Sequence, residues 1–409
     1  MKKKNRLFII IAFFYVIYTI FPLFSALLPI PVWLPSIAVF SLLLIMYPKA
    51  FANKTFYWFC AYASVLILYL LAGKRLTIGI GTVADSYKIL IEFAFILPSV
   101  SIFSVFVYLD DKELMEKFIK WCIVFLFASF IVEYPLIRQY QSLREVWSDS
   151  KADETQVLGL PGYSLMHAYT LFLPTLCFMV RSSSGKMKIL SILGLIVSCF
   201  IVYSTYVTTS LVIMIFVLII SFVYKDNVSS LFYVVIIGII VYVLYRAGFF
   251  ISMIDWIMPW FEGTSVEPKL LDFKLSMMIG ETTGASITGR QDLHGISWDS
   301  FYQNPLLGTS KVGGHSSLLD RFGGMGIVGG LPFLMIILSF VSRMKMMYQT
   351  SMARAFFWIG IVAGFTFLYE KGLWGSEGWL FYMVLMPMGI LVIENRMLEN
   401  NKILRIEKK

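Results

Sequence analysis

The chain has 409 residues, of which 58% are hydrophobic and 14% charged, and its formal net charge is +9. A water-soluble domain of this length does not bury so much apolar surface, so the composition excludes a soluble fold and makes the bilayer the expected solvent. The four cysteines, Cys60, Cys122, Cys177 and Cys199, stand inside apolar stretches without CxxC or Cys/His spacing, so neither a zinc site nor a disulfide framework is expected.

The N-terminal "MKKKNRLFIIIAFF" imitates a signal peptide, but its apolar run is too long and no small-x-small cleavage site follows, which predicts an uncleaved first helix. Windows of about twenty apolar residues, the length that crosses ~30 Å of hydrocarbon, recur along the chain. They predict transmembrane segments at 7–27, 31–47, 55–73, 89–108, 118–137, 164–180, 188–206, 209–224, 228–246, 324–342, 355–370 and 376–394. None shows the apolar/polar alternation of a barrel strand. The expected fold class is therefore an all-α polytopic integral membrane protein with about twelve spans.

Placing the N-terminus inside puts "PKAFANK", "DDKELMEK", "RSSSGKMK", "YKDN", "SRMKMMYQTSMAR" and the basic tail in the cytoplasm, with most of the 34 Lys and Arg. This is the positive-inside bias of a bacterial inner membrane protein with both termini cytoplasmic. The basicity is topological, and no nucleic-acid partner is indicated.

Two long connections, 138–163 and 247–323, then face outward, giving a bundle at 1–246, an outer loop at 247–323 and a last membrane unit at 324–409. The second contains "WIMPWF" and "LLDFKLSMMI", too apolar for disorder. Within it "DLHGISWDSFYQNP" reads as a short helix on Leu293, Ile296 and Phe301, stopped at Asn304-Pro305. Chemistry on that side has no access to ATP, so a nucleotide site is not expected.

The run "GMGIVGG" is formally GxGxxG at Gly324, Gly326 and Gly329, yet no strand precedes it and an apolar span follows. Close helix packing through small residues is the better reading. Arg290, in "TGRQDLHG", either pairs with Asp292 or Asp299 or grips a phosphate with its fixed fork. His315, in "GGHSSLLDRFGG", is either a hydrogen-bonded histidine at a helix start or a base working near neutral pH. Glu92 and Glu133 lie within apolar helices, where a carboxylate is either functional or snorkels to the outer edge. His167 falls about one turn into the span after the first long loop, near the same face, while His294 reads as packing within the loop helix. At the last outer turn, an ion pair between Glu370 and Lys371 is expected. With histidines scattered at 167, 294 and 315, no metal site, no cofactor and no Ser/His/Asp triad is expected.

Taken together, "TGRQDLHGISWDSFYQNPLLGTS" and "GGHSSLLDRFGGMGIVGGLPFLMIIL" resemble the O-antigen polymerase (Wzy-type) and O-antigen ligase superfamily. The residues that carry the resemblance are Gly289, Arg290, Asn304, Pro305, Leu306, Gly308, His315, Ser316, Leu319, Gly326 and Gly329. The rest of the chain agrees only in having many helices and one large outer loop. The resemblance implies a GT-C-like glycosyltransferase of the outer leaflet that transfers a glycan from an undecaprenyl pyrophosphate carrier, inverting the anomeric carbon without a metal. It implies that Arg290 holds the pyrophosphate and His315 acts as base. It further implies carrier-linked repeat units as substrates in the bilayer, with a chain-length regulator and a flippase as partners. A second family arginine, expected after a T/S-S-R element, is Leu211 in "STYVTTSLVIM", which leaves Arg138, Lys311 and Arg321 as candidates for the second cation. His167, Glu133 and Glu92 stand behind His315 as site candidates. A polymerase is the first reading, and a ligase acting on lipid A core the second. A flippase would place charge near the midplane, often in two related halves, whereas here it gathers at the outer edge.

Overall fold

The computed structural model describes residues 2–27, 30–31, 33–73, 77–78, 82–83, 86–138, 162–205, 207–224, 249–264, 266–268, 270–271, 274–275, 288–370, 372–373 and 375–407. Proline divides the first apolar run, where α1 (Lys2–Ile20) gives way at Pro22 to α2 (Pro22–Leu27). Pro22 has no N–H to donate, so it suits a first helical turn and ends what precedes it. After α3 (Trp33–Met46), a 3₁₀ turn at Pro48–Phe51 leads to α4 (Lys54–Leu71), capped by Asn53, whose side chain accepts from the Phe56 amide at 3.0 Å. Then come α5 (Ser86–Leu109) and α6 (Lys112–Ile137); Asp111 caps α6 through the Leu114 amide at 3.1 Å. These caps satisfy amides that a helix start leaves open. The central elements α7 (Tyr163–Ser182), α8 (Gly185–Ser204) and α9 (Thr208–Val223) follow.

The described part of the outer loop contains α10 (Phe249–Ile257) and α11 (Thr288–Gln303), which ends at the residue before Asn304-Pro305 as the sequence predicts. The last unit is α12 (Ser317–Met347), α13 (Ser351–Glu370), α14 (Ser376–Leu380), a π turn at Phe381–Leu385 and α15 (Met386–Glu407).

Among the described residues, seven helices are long and apolar enough to cross a membrane, and shorter apolar helices occur at Trp33–Met46, Phe93–Leu109 and Thr209–Val223. The chain is thus a multi-pass membrane protein. The span expected at 228–246, most of the 138–163 connection and parts of the 247–323 loop lie outside the described residues.

Two spans form the centre. In α7, 89% of the most apolar window is buried, and in Ser376–Asn400 94%, against 28% for α4 and α8. Around α7 pack α8, α9, α13, α14 and α15, while α4 packs on α5 and α12. The outer helices instead expose large apolar side chains such as Ile10, Ile45, Leu68, Ile131, Phe216 and Val362, a surface suited to lipid.

Among the described residues the architecture is all-helical, as expected, apart from three minimal paired strands. Two-residue strands β1 (Thr77–Ile78), β2 (Thr82–Val83) and β3 (Lys311–Val312) pair in the order β2-β1-β3. β1 and β3 are parallel, with Thr77 opposite Lys311, and so tie the turn after α4 to the segment before α12. Strands this short carry no readable period.

The two ends of the bundle differ. At one, Tyr47 donates to Asn5 at 3.1 Å and Arg396 pairs with Glu116. At the other, α11, β3 and the start of α12 meet the end of α4 and α13.

Candidate functional site

The site is built on a serine face of α11. Ser297 and Ser300 are buried, one turn apart, against the segment that leads into α12. The Ser297 hydroxyl donates to Asp320 Oδ1 at 2.7 Å and accepts from the Gly313 amide at 2.9 Å. Asp320 is itself only 3% exposed and lies in the first turn of α12. Its Oδ1 also accepts from the Gly314 amide at 3.3 Å, and its Oδ2 from the Ser316 amide at 3.2 Å. Those two amides flank His315. One carboxylate therefore fixes the backbone on both sides of the half-buried imidazole.

Ser316 completes the entry. It caps α12 by accepting from the Leu319 amide at 3.1 Å, and its hydroxyl donates to the Leu368 carbonyl of α13 at 3.4 Å. This hydroxyl joins the histidine turn to the end of the neighbouring helix.

Behind the turn, α12 is broken at Gly326, where φ is 58° and ψ −158°. That backbone region is essentially restricted to glycine. The break leaves the amides of Ile327 and Val328 without helical partners, and the carbonyls of Pro305 and Leu306 accept them at 2.8 and 3.2 Å. Asn304 shapes this loop through bonds to the Leu307 and Gly308 amides. Tyr69 of α4 donates to the Leu307 carbonyl from the other side. A Cβ on Gly326 would lie 2.3 Å from the Leu306 carbonyl, and one on Gly308 2.4 Å from that of Gly323. At Gly326 the close neighbour is thus a loop backbone, which corrects the expectation of helix-on-helix packing at that glycine, whereas Gly323 lies against the Ser297 backbone of α11.

The other predicted residues fall in distinct places. Arg290 lies in the first turn of α11, four residues before His294 and hence on the same helical face; its side chain is outside the described residues. His294 sets its ring 5.4 Å from that of Tyr369 of α13. Lys311 is exposed on β3, four residues before His315. Arg321 is 6% exposed and turns back into the bundle, with its guanidinium 5.7 Å from the Phe333 ring and facing Tyr62 of α4. Arg138 is exposed at the end of α6, stacked 5.8 Å from Tyr134.

Glu133 does not snorkel. It is 1% exposed, receives the Ser129 hydroxyl and faces Tyr169 of α7. The inward face of α6 packs on α1, α8 and α15, so a side chain there has no path to the edge. His167 is fully buried, 4.3 Å from the ring of Phe367, the residue before Leu368. It therefore stands one layer beneath the His315 turn. Glu92 has its backbone in α5 but its side chain outside the described residues, and Lys371 lies outside them altogether. Among the described residues, no three His, Cys, Asp or Glu side chains gather as metal ligands do.

Sequence reasoning missed Ser297 and Asp320 as positioning residues. The signal available was Ser316 followed four residues later by Asp320 at a helix entry, a spacing outside the usual capping box. No protein-family model and no curated protein matches this chain.

Proposed function

We propose that the chain is a polysaccharide polymerase of the O-antigen type. It would transfer a growing glycan from undecaprenyl pyrophosphate to a hydroxyl of a carrier-linked repeat unit at the outer leaflet. The reading includes about twelve spans and cytoplasmic termini, as the apolar windows and charge asymmetry suggest. What supports it most is the turn around His315, where both flanking amides are held by Asp320. A base must present its nitrogen from a fixed origin, and a rigid turn supplies one.

In the proposed reaction the acceptor hydroxyl oxygen attacks the anomeric carbon while its proton passes to the His315 imidazole. The bond from that carbon to the carrier's phosphate oxygen breaks, and the pyrophosphate leaves with the electron pair. Its growing charge calls for a cation, the role assigned to Arg290. Lys311, exposed on β3 near the turn, is the better placed second cation, since Arg321 is committed to an aromatic lining. A single displacement inverts the anomeric centre and needs no paired carboxylates.

The test is reconstitution of the purified protein with carrier-linked repeat units, with products separated on a gel. A ladder of lengths supports the polymerase. One block added to lipid A core makes the chain a ligase, and carrier movement without new glycosidic bonds makes it a flippase.

A further inference from the structure

A second site lies at the opposite, basic end. There the 3₁₀ turn at Pro48–Phe51, the start of α4, the end of α5 and the last turns of α12 enclose a cavity of about 570 Å³. Its rim carries Lys49, Lys54 and Arg343, and its wall the hydroxyls of Ser104 and Ser342. Among the described residues no acidic side chain lines it, and no carboxylate pairs with these cations. Three cations gathered around one cavity repel one another, and an anion seated between them removes that cost.

The chemistry of the lining selects among anions. A guanidinium fork with two ammonium groups and hydroxyl donors matches the several oxygens of a phosphate group. The cavity also has an apolar lip, because Met346 and Tyr108, which line it, are 70% and 49% exposed. A soluble anion has no use for such a lip, whereas an acyl chain does. Basic pockets between membrane helices on the positively charged side are where anionic headgroups dock.

We propose that this cavity binds the phosphate group of an anionic phospholipid from the adjoining leaflet. The proposal is independent of the transferase reading, which concerns the other end of the bundle. Its consequence is an anchor that joins the α3–α4 turn to the end of α12 through a lipid.

Native mass spectrometry of the delipidated full chain in detergent tests it, with phosphatidylglycerol, phosphatidylcholine and inorganic phosphate as probes. Two triple variants are compared: Lys49→Gln, Lys54→Gln and Arg343→Gln at the cavity, and Lys186→Gln, Lys188→Gln and Arg354→Gln elsewhere on the basic end. The wild type and the second variant are expected to retain phosphatidylglycerol about tenfold better than phosphatidylcholine, and the cavity variant to lose that preference. Lys54→Gln alone should show an intermediate loss, which serves if the triple variant folds poorly. Equal retention by the cavity variant overturns the proposal, and so does an equal loss in the second triple, which reveals diffuse charge. Displacement of the lipid by an equal concentration of inorganic phosphate overturns the lipid as the source and leaves a soluble phosphate.

Discussion

At the scale of single residues, Asp320 carries the most testable role, because its two oxygens accept from Ser297 and from the Gly314 and Ser316 amides. An asparagine supplies one acceptor oxygen and turns the other position into a donor facing a donor. Asp320→Asn is therefore expected to cost about 1–3 kcal/mol, the penalty of a buried unsatisfied group, seen as a lower unfolding temperature in detergent. It should also lower turnover more than it weakens donor binding, since it loosens the turn without touching the phosphate cation. Unchanged turnover would remove Asp320 as a positioning residue. For the two central residues the proposed roles separate. His315→Ala should bind the carrier-linked donor nearly normally and lose turnover by about 10²–10⁴-fold. Arg290→Lys should remain impaired in donor binding, because a lysine keeps the charge but not the fork. If His315→Ala turns over normally, the base must be sought at His167, one layer below, or at Glu133.

Among the elements, α12 and α11 make opposite demands on glycine. Gly326 adopts φ 58°, and an added Cβ meets the Leu306 carbonyl at 2.3 Å. Gly326→Ala thus combines backbone strain of order 1–3 kcal/mol with loss of the docked 304–308 loop, and little folded protein is expected. Gly295, inside α11, has open space at its Cβ position. Gly295→Ala should stabilise the helix by roughly 0.4–1 kcal/mol. Thermal unfolding of both variants checks the contrast, and equal effects would contradict the broken helix. The end of α11 and the existence of the long spans were legible in the sequence because Pro305 and the apolar windows act locally, whereas the start of α11 at Thr288, ahead of Arg290, was not. The break inside α12 was not, since a glycine-rich apolar run reads alike whether it packs on a helix or receives a loop.

For the whole molecule, the central prediction is sidedness. In a chain with Cys60 and Cys199 changed to Ser, Lys311→Cys should react with a membrane-impermeant maleimide on intact cells. Lys345→Cys should react only after the inner face is opened. Both positions are exposed, at opposite ends of the bundle, so the outcome depends on orientation. The opposite pattern would place the His315 turn in the cytoplasm and end the outer-leaflet reading. The positive-inside bias is the physical ground for expecting the first pattern.

By itself the sequence determined that this chain is a multi-pass membrane protein and where the long apolar helices among the described residues run. Those features follow from hydropathy, proline and residue order, all of which act over a few turns. Only the tertiary structure decided what each polar residue does. Glu133 and Arg321 read as charges available at an edge, and both prove buried, one held by Ser129 and the other set against Phe333. Asp320 proves to fix the backbone around His315, because its partners come from α11 and from the loop before α12. A carboxylate's role is set by which donors surround it, and here they come from residues up to 23 positions away in the chain.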